Sequence, residues 1–406
     1  MKKLKKNIII FLIINLIIFQ NVPSFAEQNA YIWSEETIQT NVEAQKEDNN
    51  IQLECGSAIL IEQTTGQILY EHNIHEKLRP ASVTKIMSIL LIMEQIHNGN
   101  LSLTDSISCS ENATSMGGSQ IWLDTRETLT VEEMLKAICV VSANDCVVAM
   151  AEHIAGSEEA FVQMMNNKAK ELGMNDTTFK NCHGIDEDGH VTSSYDIALM
   201  SKELLNKYPE VTKYTTIWMD SLRDGKSELV NTNKLIRNYK GATGLKTGST
   251  SLALYNLSAS ATRDGLSLIA VIMKAPTTKI RFEEAQKLLD YGFANFSFKE
   301  FGKKGEEVGT LQVNKGVTQQ ISAILEEDAG TLVEKNKEKN ITQNLTLEEK
   351  IDAPVKKGQK LGEITFTLEG KTLSTINIIA QEDVEKINLF NMTKQICYSW
   401  INLLRE

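Results

Sequence analysis

The chain has no histidine pair at the spacing a zinc hydrolase needs. Its six histidines form no His-Glu-x-x-His motif and no other pair four residues apart, so no helix turn presents two imidazoles to one metal ion. Six cysteines are present, Cys55, Cys109, Cys139, Cys146, Cys182 and Cys397, with no Cys-x-x-Cys or finger spacing. That leaves out the zinc-finger and dithiol-redox classes. An even count in a secreted chain allows disulfides, but 406 residues suffice to build a core without them. Cys139 and Cys146 lie in an apolar stretch and read as small core residues, so free thiols are expected. Positive charge is also in short supply: 42 basic against 53 acidic residues give a net charge of −11. That balance is poor for gripping a phosphate backbone, no nucleic-acid motif is present, and nucleic acid is not expected as a partner.

The basic residues that do occur cluster at the start. Lys2, Lys3, Lys5 and Lys6 precede an apolar run from Ile8 to Phe19, broken only by Asn15. Ser24 and Ala26 then supply the small residues of a signal-peptidase site, so residues 1–26 read as a signal peptide. The alternative is an uncleaved anchor, although the run is short for a spanning helix. Either reading puts the rest of the chain outside the cytoplasm. Removing these residues takes away four lysines and no acids, moving the charge from −11 to −15.

Residues 27–50 are polar, without sustained periodicity, and read as a linker. From Ser57 the pattern suggests a hairpin: Ala58 to Ile61, a turn at Thr64-Thr65-Gly66, then Gln67 to Tyr70. After Pro80, the segment Ile86 to Met93 is apolar on nearly every side, the mark of a buried helix. Helices are predicted from Val131 to His153 and from Ser157 to Leu172. Strict alternation from Tyr255 to Thr262, a turn at Arg263-Asp264-Gly265 and a second run from Leu266 to Met273 predict another hairpin. Strands at both ends with helices between them imply an α+β fold, an antiparallel sheet covered by a helical cluster, over residues 51–297. Residues 298–385 consist of short alternating runs and read as a small β-rich domain without a nucleophile. Residues 386–406 follow a helical pattern, with Leu389, Met392, Ile396, Trp400 and Leu403 on one face. That pattern suits an amphipathic helix lying on a membrane surface, or else one docked on its own protein or on a second copy.

Three short motifs carry chemistry. In Ser82-Val83-Thr84-Lys85, at the start of the buried helix, one turn sets the Ser82 hydroxyl beside the Lys85 amine. The helix start aims unpaired N–H groups at charge developing on Ser82. A serine hydroxyl needs an adjacent base, and a lysine serves only when burial lowers its pKa. Ser-x-x-Lys alone is common by chance, but this lysine lies in an apolar segment where an unpaired charge is costly. The second motif is Ser142-Ala143-Asn144, within the helical pattern from Met134 to Met150. Ser142 is suited to relaying a proton and Asn144 to bonding both a lysine and a substrate amide, with Ala143 expected to point outward. Ser110-Glu111-Asn112 has the same spacing but lies among loop-like residues. The third is Lys246-Thr247-Gly248, before Ser249. A lysine and a hydroxyl on an edge strand suit a carboxylate terminus, and Gly248 is expected to let a substrate backbone approach as an added strand.

In this order the motifs resemble those of penicillin-binding proteins and serine β-lactamases. The segment from about Cys55 onward is most similar to the low-molecular-weight D-alanyl-D-alanine carboxypeptidases, the peptidase S11 family. The likeness includes Pro80 to Lys85, Gly118-Ser119-Gln120, Val141 to Asp145, His183 to Asp186 with Asp188-Gly189-His190, Gly244 to Gly248, Tyr255-Asn256-Leu257 and Leu288 to Phe293. The resemblance implies a peptidoglycan stem peptide as substrate, β-lactams as covalent inhibitors and no cofactor. It implies Ser82 as nucleophile, Lys85 as its base, and Ser142 and Asn144 as proton relay and substrate guide. Lys246 and Thr247 then meet the terminal carboxylate, with Arg281 near it, and the N–H groups of Ser82 and Ser249 form the oxyanion hole. Two rivals use the same motifs. A β-lactamase needs a deacylating base, and Glu203-Leu204-Leu205-Asn206 mimics its signature from what reads as a surface helix. A non-catalytic β-lactam-binding protein is the other, although every motif residue is present.

Overall fold

The computed structural model describes residues 51–388. The predicted membrane-surface helix, the signal peptide and the linker lie outside the described residues, apart from the helix's first residues, 386–388.

The first part of the chain is an α+β unit around a five-stranded sheet. β1 (Ser57–Glu62) and β2 (Ile68–His72) form the expected hairpin around Thr64-Thr65-Gly66. β3 (Ala242–Thr250), β4 (Leu254–Arg263) and β5 (Leu266–Ala275) complete it in the order β2-β1-β5-β4-β3, every neighbouring pair antiparallel. Both faces are covered. Ile59, Ile61, Ile269, Val271 and Met273 join one large apolar core with the helical cluster. On the opposite face α6 (Thr278–Asn295) packs so closely that a Cβ on Gly292 would meet Leu268 Cδ1 at 2.5 Å and Leu60 Cδ2 at 3.1 Å. The alternation along β4 is therefore not an alternation between core and water. Ser258 and Ser260 are as buried as Ala259, and their hydroxyls pair with Ser201 at 2.9 Å and Thr243 at 2.8 Å.

α1 (Lys85–His97) runs through the middle of the helical cluster, buried from Lys85 to Met93. α2 (Val131–Val140) opens with a capping box between Thr130 and Glu133, which satisfies two N–H groups otherwise left without partners. The sequence pattern predicts one helix through to His153. The structure breaks it: α2 ends at Val140 and α3 (Asn144–Ala155) begins four residues later. Between them Ser142 takes a left-handed conformation, φ +67°, which no helix interior accommodates. Ala143, expected to point outward, is fully buried in the main core. α4 (Glu158–Glu171) and α5 (Ser194–Lys207) start at the capping serines Ser157 and Ser193.

A strand from Phe296 to Gly302 follows α6 directly. Beyond it lie a six-stranded sheet and a two-stranded one, both built from residues 296–380. The core here is Leu311, Val313, Ile321, Leu325, Ile364, Phe366, Ile376 and Ile378 with their neighbours, and Phe301 stacks on Phe366 with ring centroids 4.0 Å apart. Among the described residues no helix is long and apolar enough to cross a membrane. The five described cysteines, Cys55, Cys109, Cys139, Cys146 and Cys182, are free and buried.

Candidate active site

Ser82 lies in the single 3-10 turn Ala81–Thr84 that leads into α1, so the hydroxyl stands at the helix mouth, one turn before Lys85. Three contacts hold this turn. Asn256 Nδ2 donates to the carbonyls of Arg79, at 2.8 Å, and Pro80, at 3.0 Å. Ala81 is held at φ +50°, a strained conformation for a residue with a Cβ. A Cβ on Gly184 would lie 1.9 Å from the Ala81 carbonyl oxygen, so the backbone at 184 abuts the turn and only glycine fits.

The Lys85 side chain is wholly buried. Its Nζ lies 3.1 Å from Ser82 Oγ, 2.5 Å from Asn144 Oδ1 and 2.6 Å from the carbonyl oxygen of His183. Burial, with the nearby Lys246 second, pushes its pKa well below the usual lysine range, since a desolvated ammonium is disfavoured. Asn144 is fixed in turn: its Nδ2 donates to Gly117 O at 2.7 Å and its backbone N–H to Ser119 O at 2.7 Å. Ser142 Oγ is buried and makes no hydrogen bond among the described residues.

β3 is an edge strand, as expected, and its motif side chains turn inward. Lys246 is buried, donates to Thr247 O at 3.1 Å, and has its pKa lowered to about 7 by desolvation. Thr247 Oγ1 donates to Thr232 Oγ1 at 2.8 Å. At Gly248 the structure adds a close approach from within the protein. A Cβ there would lie 2.8 Å from the backbone nitrogens of Ser82 and Val83 and 3.0 Å from Pro80 O. The turn that carries Ser82 makes this approach. Ser249, next along, is exposed. Arg281 is not a surface residue at a helix start. It is buried in the first turn of α6, its Nη1 donating to Gly248 O at 3.3 Å and Asn256 O at 3.1 Å, and burial brings its pKa down to about 10. It ties β3 to β4 beside the nucleophile turn.

The residues that motif reading missed are one backbone carbonyl and two side-chain amides. His183 offers a carbonyl to Lys85, while its ring accepts from Ile185 N–H at 3.1 Å and lies 3.4 Å from Glu158. Asn181 receives Gly184 N–H at 2.7 Å. Asn256 clamps the turn. His183 and Asn256 fall in segments quoted for their resemblance above, and Asn181 does not; no spacing rule marks a backbone carbonyl that accepts from a lysine. The look-alike Ser110-Glu111-Asn112 forms a separate short helix with Ser110 as its cap, and Glu203 pairs with Lys207 one turn along at 2.6 Å.

A serine hydroxyl, a buried amine and a carbonyl-bonded asparagine converge here among antiparallel strands and a central helix. They are the parts of a serine-type acyl-transfer site, with an amine beside the hydroxyl. The family model of D-alanyl-D-alanine carboxypeptidases matches residues 41–277, and that of the C-terminal domain of penicillin-binding protein 5 matches residues 296–386. D-alanyl-D-alanine carboxypeptidase DacF of Bacillus subtilis is 43% identical over 87% of this chain and 92% of its own. The crystal structure of penicillin-binding protein 5 from Haemophilus influenzae, 30% identical, superimposes with a TM-score of 0.71 over 83% of this chain and 99% of that one. The ampicillin-bound penicillin-binding protein D2 of Listeria monocytogenes, 31% identical, gives 0.55 over 60% and 99%. The chain belongs to the D-alanyl-D-alanine carboxypeptidase family, the serine-type carboxypeptidases among the penicillin-binding proteins.

Proposed function

We propose that the protein removes the terminal D-alanine from peptidoglycan stem pentapeptides through an ester on Ser82, and that β-lactams acylate the same oxygen. The bonding around Lys85 Nζ carries this reading. A neutral amine has two hydrogens and one lone pair. Asn144 Oδ1 and His183 O take the two hydrogens, which leaves the lone pair for the hydroxyl proton of Ser82, 3.1 Å away.

Ser82 O–H gives its proton to Lys85 as Oγ attacks the carbonyl between the two D-alanines. The tetrahedral oxyanion accepts from the N–H groups of Ser82 and Ser249, each such donor being worth ~3–4 kcal/mol to the transition state. Lys246, as an ammonium, meets the terminal carboxylate with Thr247. Arg281 holds the strand that carries them through Gly248 O, and a bound carboxylate favours the charged form of Lys246. The proton passes through Ser142, whose hydroxyl has no partner among the described residues, to the departing nitrogen, and D-alanine leaves. Asn144 keeps a hydrogen-bonding side chain against both the base and the acyl amide. Water then attacks the ester, Lys85 takes its proton, and Ser82 is restored. No step calls for a metal or cofactor.

On this reading residues 51–297 are the catalytic domain and 298–385 a domain that sets it at a distance from its anchoring point. The amphipathic pattern of 386–406 supports docking on the outer face of the cell membrane, with the chain secreted by residues 1–26. The test is labelling with a fluorescent penicillin alongside D-alanine release from a pentapeptide. Wild type takes up one covalent label and releases D-alanine steadily, and Ser82→Ala does neither. Covalent label persisting on Ser82→Ala overturns the assignment.

A further inference from the structure

Trp122 is 76% exposed, the most exposed large hydrophobic side chain among the described residues. Its backbone is also in the left-handed region, φ +53°, where a bulky residue is a genuine outlier. A dense set of bonds enforces this. Asp145, buried beside Asn144, accepts the N–H of Ile121 at 3.1 Å and of Leu123 at 3.1 Å. Arg223 donates to the carbonyls of Ile121, at 2.8 Å, and Trp122, at 3.4 Å, and is itself paired with Glu127. Ile121 and Leu123 are buried on either side. An indole is thus pinned in a costly conformation and turned into solvent, and strain of that kind clusters at ligand-contacting positions.

Its place in the fold says which ligand. The same loop holds the site: Gly117 and Ser119, five and three residues before Trp122, accept the two hydrogen bonds that Asn144 donates. Arg223 sits at the turn of a hairpin, Met219–Leu222 with Ser227–Val230. Met219 and Val230 are directly opposed on it and exposed, at 60% and 43%. The hairpin continues into Thr232, the partner of Thr247. The Trp122 loop thus meets the site at Asn144, the hairpin meets it at Thr247 through Thr232, and Arg223 ties loop and hairpin together.

Resting on the carboxypeptidase reading above, we infer that Trp122 is a substrate platform: it packs against the long aliphatic side chain of the stem-peptide residue preceding the two D-alanines. With the terminal carboxylate held at Lys246, the remainder of the peptide has to leave the cleft along its rim, and one or two upstream residues span ~3–7 Å. A rigid indole covers much apolar area with little side-chain entropy to lose.

The test compares D-alanine release from two N-acylated tripeptides, one with lysine and one with alanine before D-Ala–D-Ala, on wild type, Trp122→Gly and Trp122→Phe. Glycine accepts the left-handed backbone, so the variant is expected to fold with an unchanged thermal midpoint. The expected result is a KM at least fivefold higher for the lysine peptide with Trp122→Gly, with kcat and the alanine-peptide KM unchanged, and recovery of most of the loss with Trp122→Phe. Equal KM values for wild type and Trp122→Gly on the lysine peptide overturn the inference, as does a KM effect that appears only when a sugar is attached to the stem. If wild type releases no D-alanine from either peptide, it is the carboxypeptidase reading that has failed.

Discussion

The two parts of the described chain treat polar groups in opposite ways. The catalytic part buries Lys85, Lys246, Arg281, Asp145, Asn144, Ser142, His183 and Glu284 among others, whereas beyond Phe296 the only buried polar residue among those described is Thr331. Burying an ammonium or guanidinium costs several kcal/mol unless partners compensate. A sequence retains such groups where they are used, and the β-rich part, with a core of aliphatic residues and Phe366, has none to use. The first part is a strained, polar machine inside an apolar shell; the second is stable structure with no such burden.

The sharpest way to test that contrast is to remove one buried group from each part. Lys85→Met is expected to lower kcat/KM for D-alanine release by ~10³-fold or more, in the upper range for a general base, with the fold retained by circular dichroism. Phe366→Ala, in contrast, is expected to destabilise the protein by ~3–5 kcal/mol, the cost of an emptied aromatic site, with kcat/KM for a soluble peptide unchanged. A fall in Phe366→Ala turnover at a temperature where the protein stays folded breaks the comparison, because the β-rich part then contributes to the chemistry.

A smaller effect is expected at Gly248. Adding a methyl group 2.8 Å from the backbone nitrogens of Ser82 and Val83 has to push β3 away from the nucleophile turn. Misplacement by about 1 Å costs on the order of 10²-fold, so Gly248→Ala should slow penicillin acylation by about that factor while the thermal midpoint moves little. Acylation at the wild-type rate would show that the turn yields freely.

The mildest probe is pH. In the proposed mechanism Lys85 acts as the neutral amine, so activity is expected to rise with pH through its lowered pKa. Lys246 acts there as the ammonium, so kcat/KM is expected to fall as pH rises past about 7, since kcat/KM reports the free enzyme. A bell-shaped profile with its basic limb near neutrality is expected. Lys246→Arg, which stays charged, should move that limb upward; a basic limb left in place by this variant assigns it to another group. His183 and His190, lowered by burial to about 3 and about 4, do not titrate in this range.

Much of this was legible in the residues alone. Ser82 with Lys85 one turn on, the all-round apolar run of α1 and the hairpin at Thr64-Thr65-Gly66 follow from local periodicity and turn chemistry, which depend only on near neighbours in the chain. The chain break at Ser142 did not. The helical period of residues 131–153 runs straight through it, and only packing against the site forces a left-handed residue there and buries Ala143. The alternation along β4 was visible, but not that both of its faces are covered, because α6 and the helical cluster come from distant segments. Long-range contacts likewise decided why position 248 is glycine, why Arg281 is buried, and that the carbonyl of His183, 98 residues from Lys85, accepts from its amine. Local pattern fixes which groups are available; only the folded chain brings distant backbone atoms within hydrogen-bonding distance and strips the water that sets their charge.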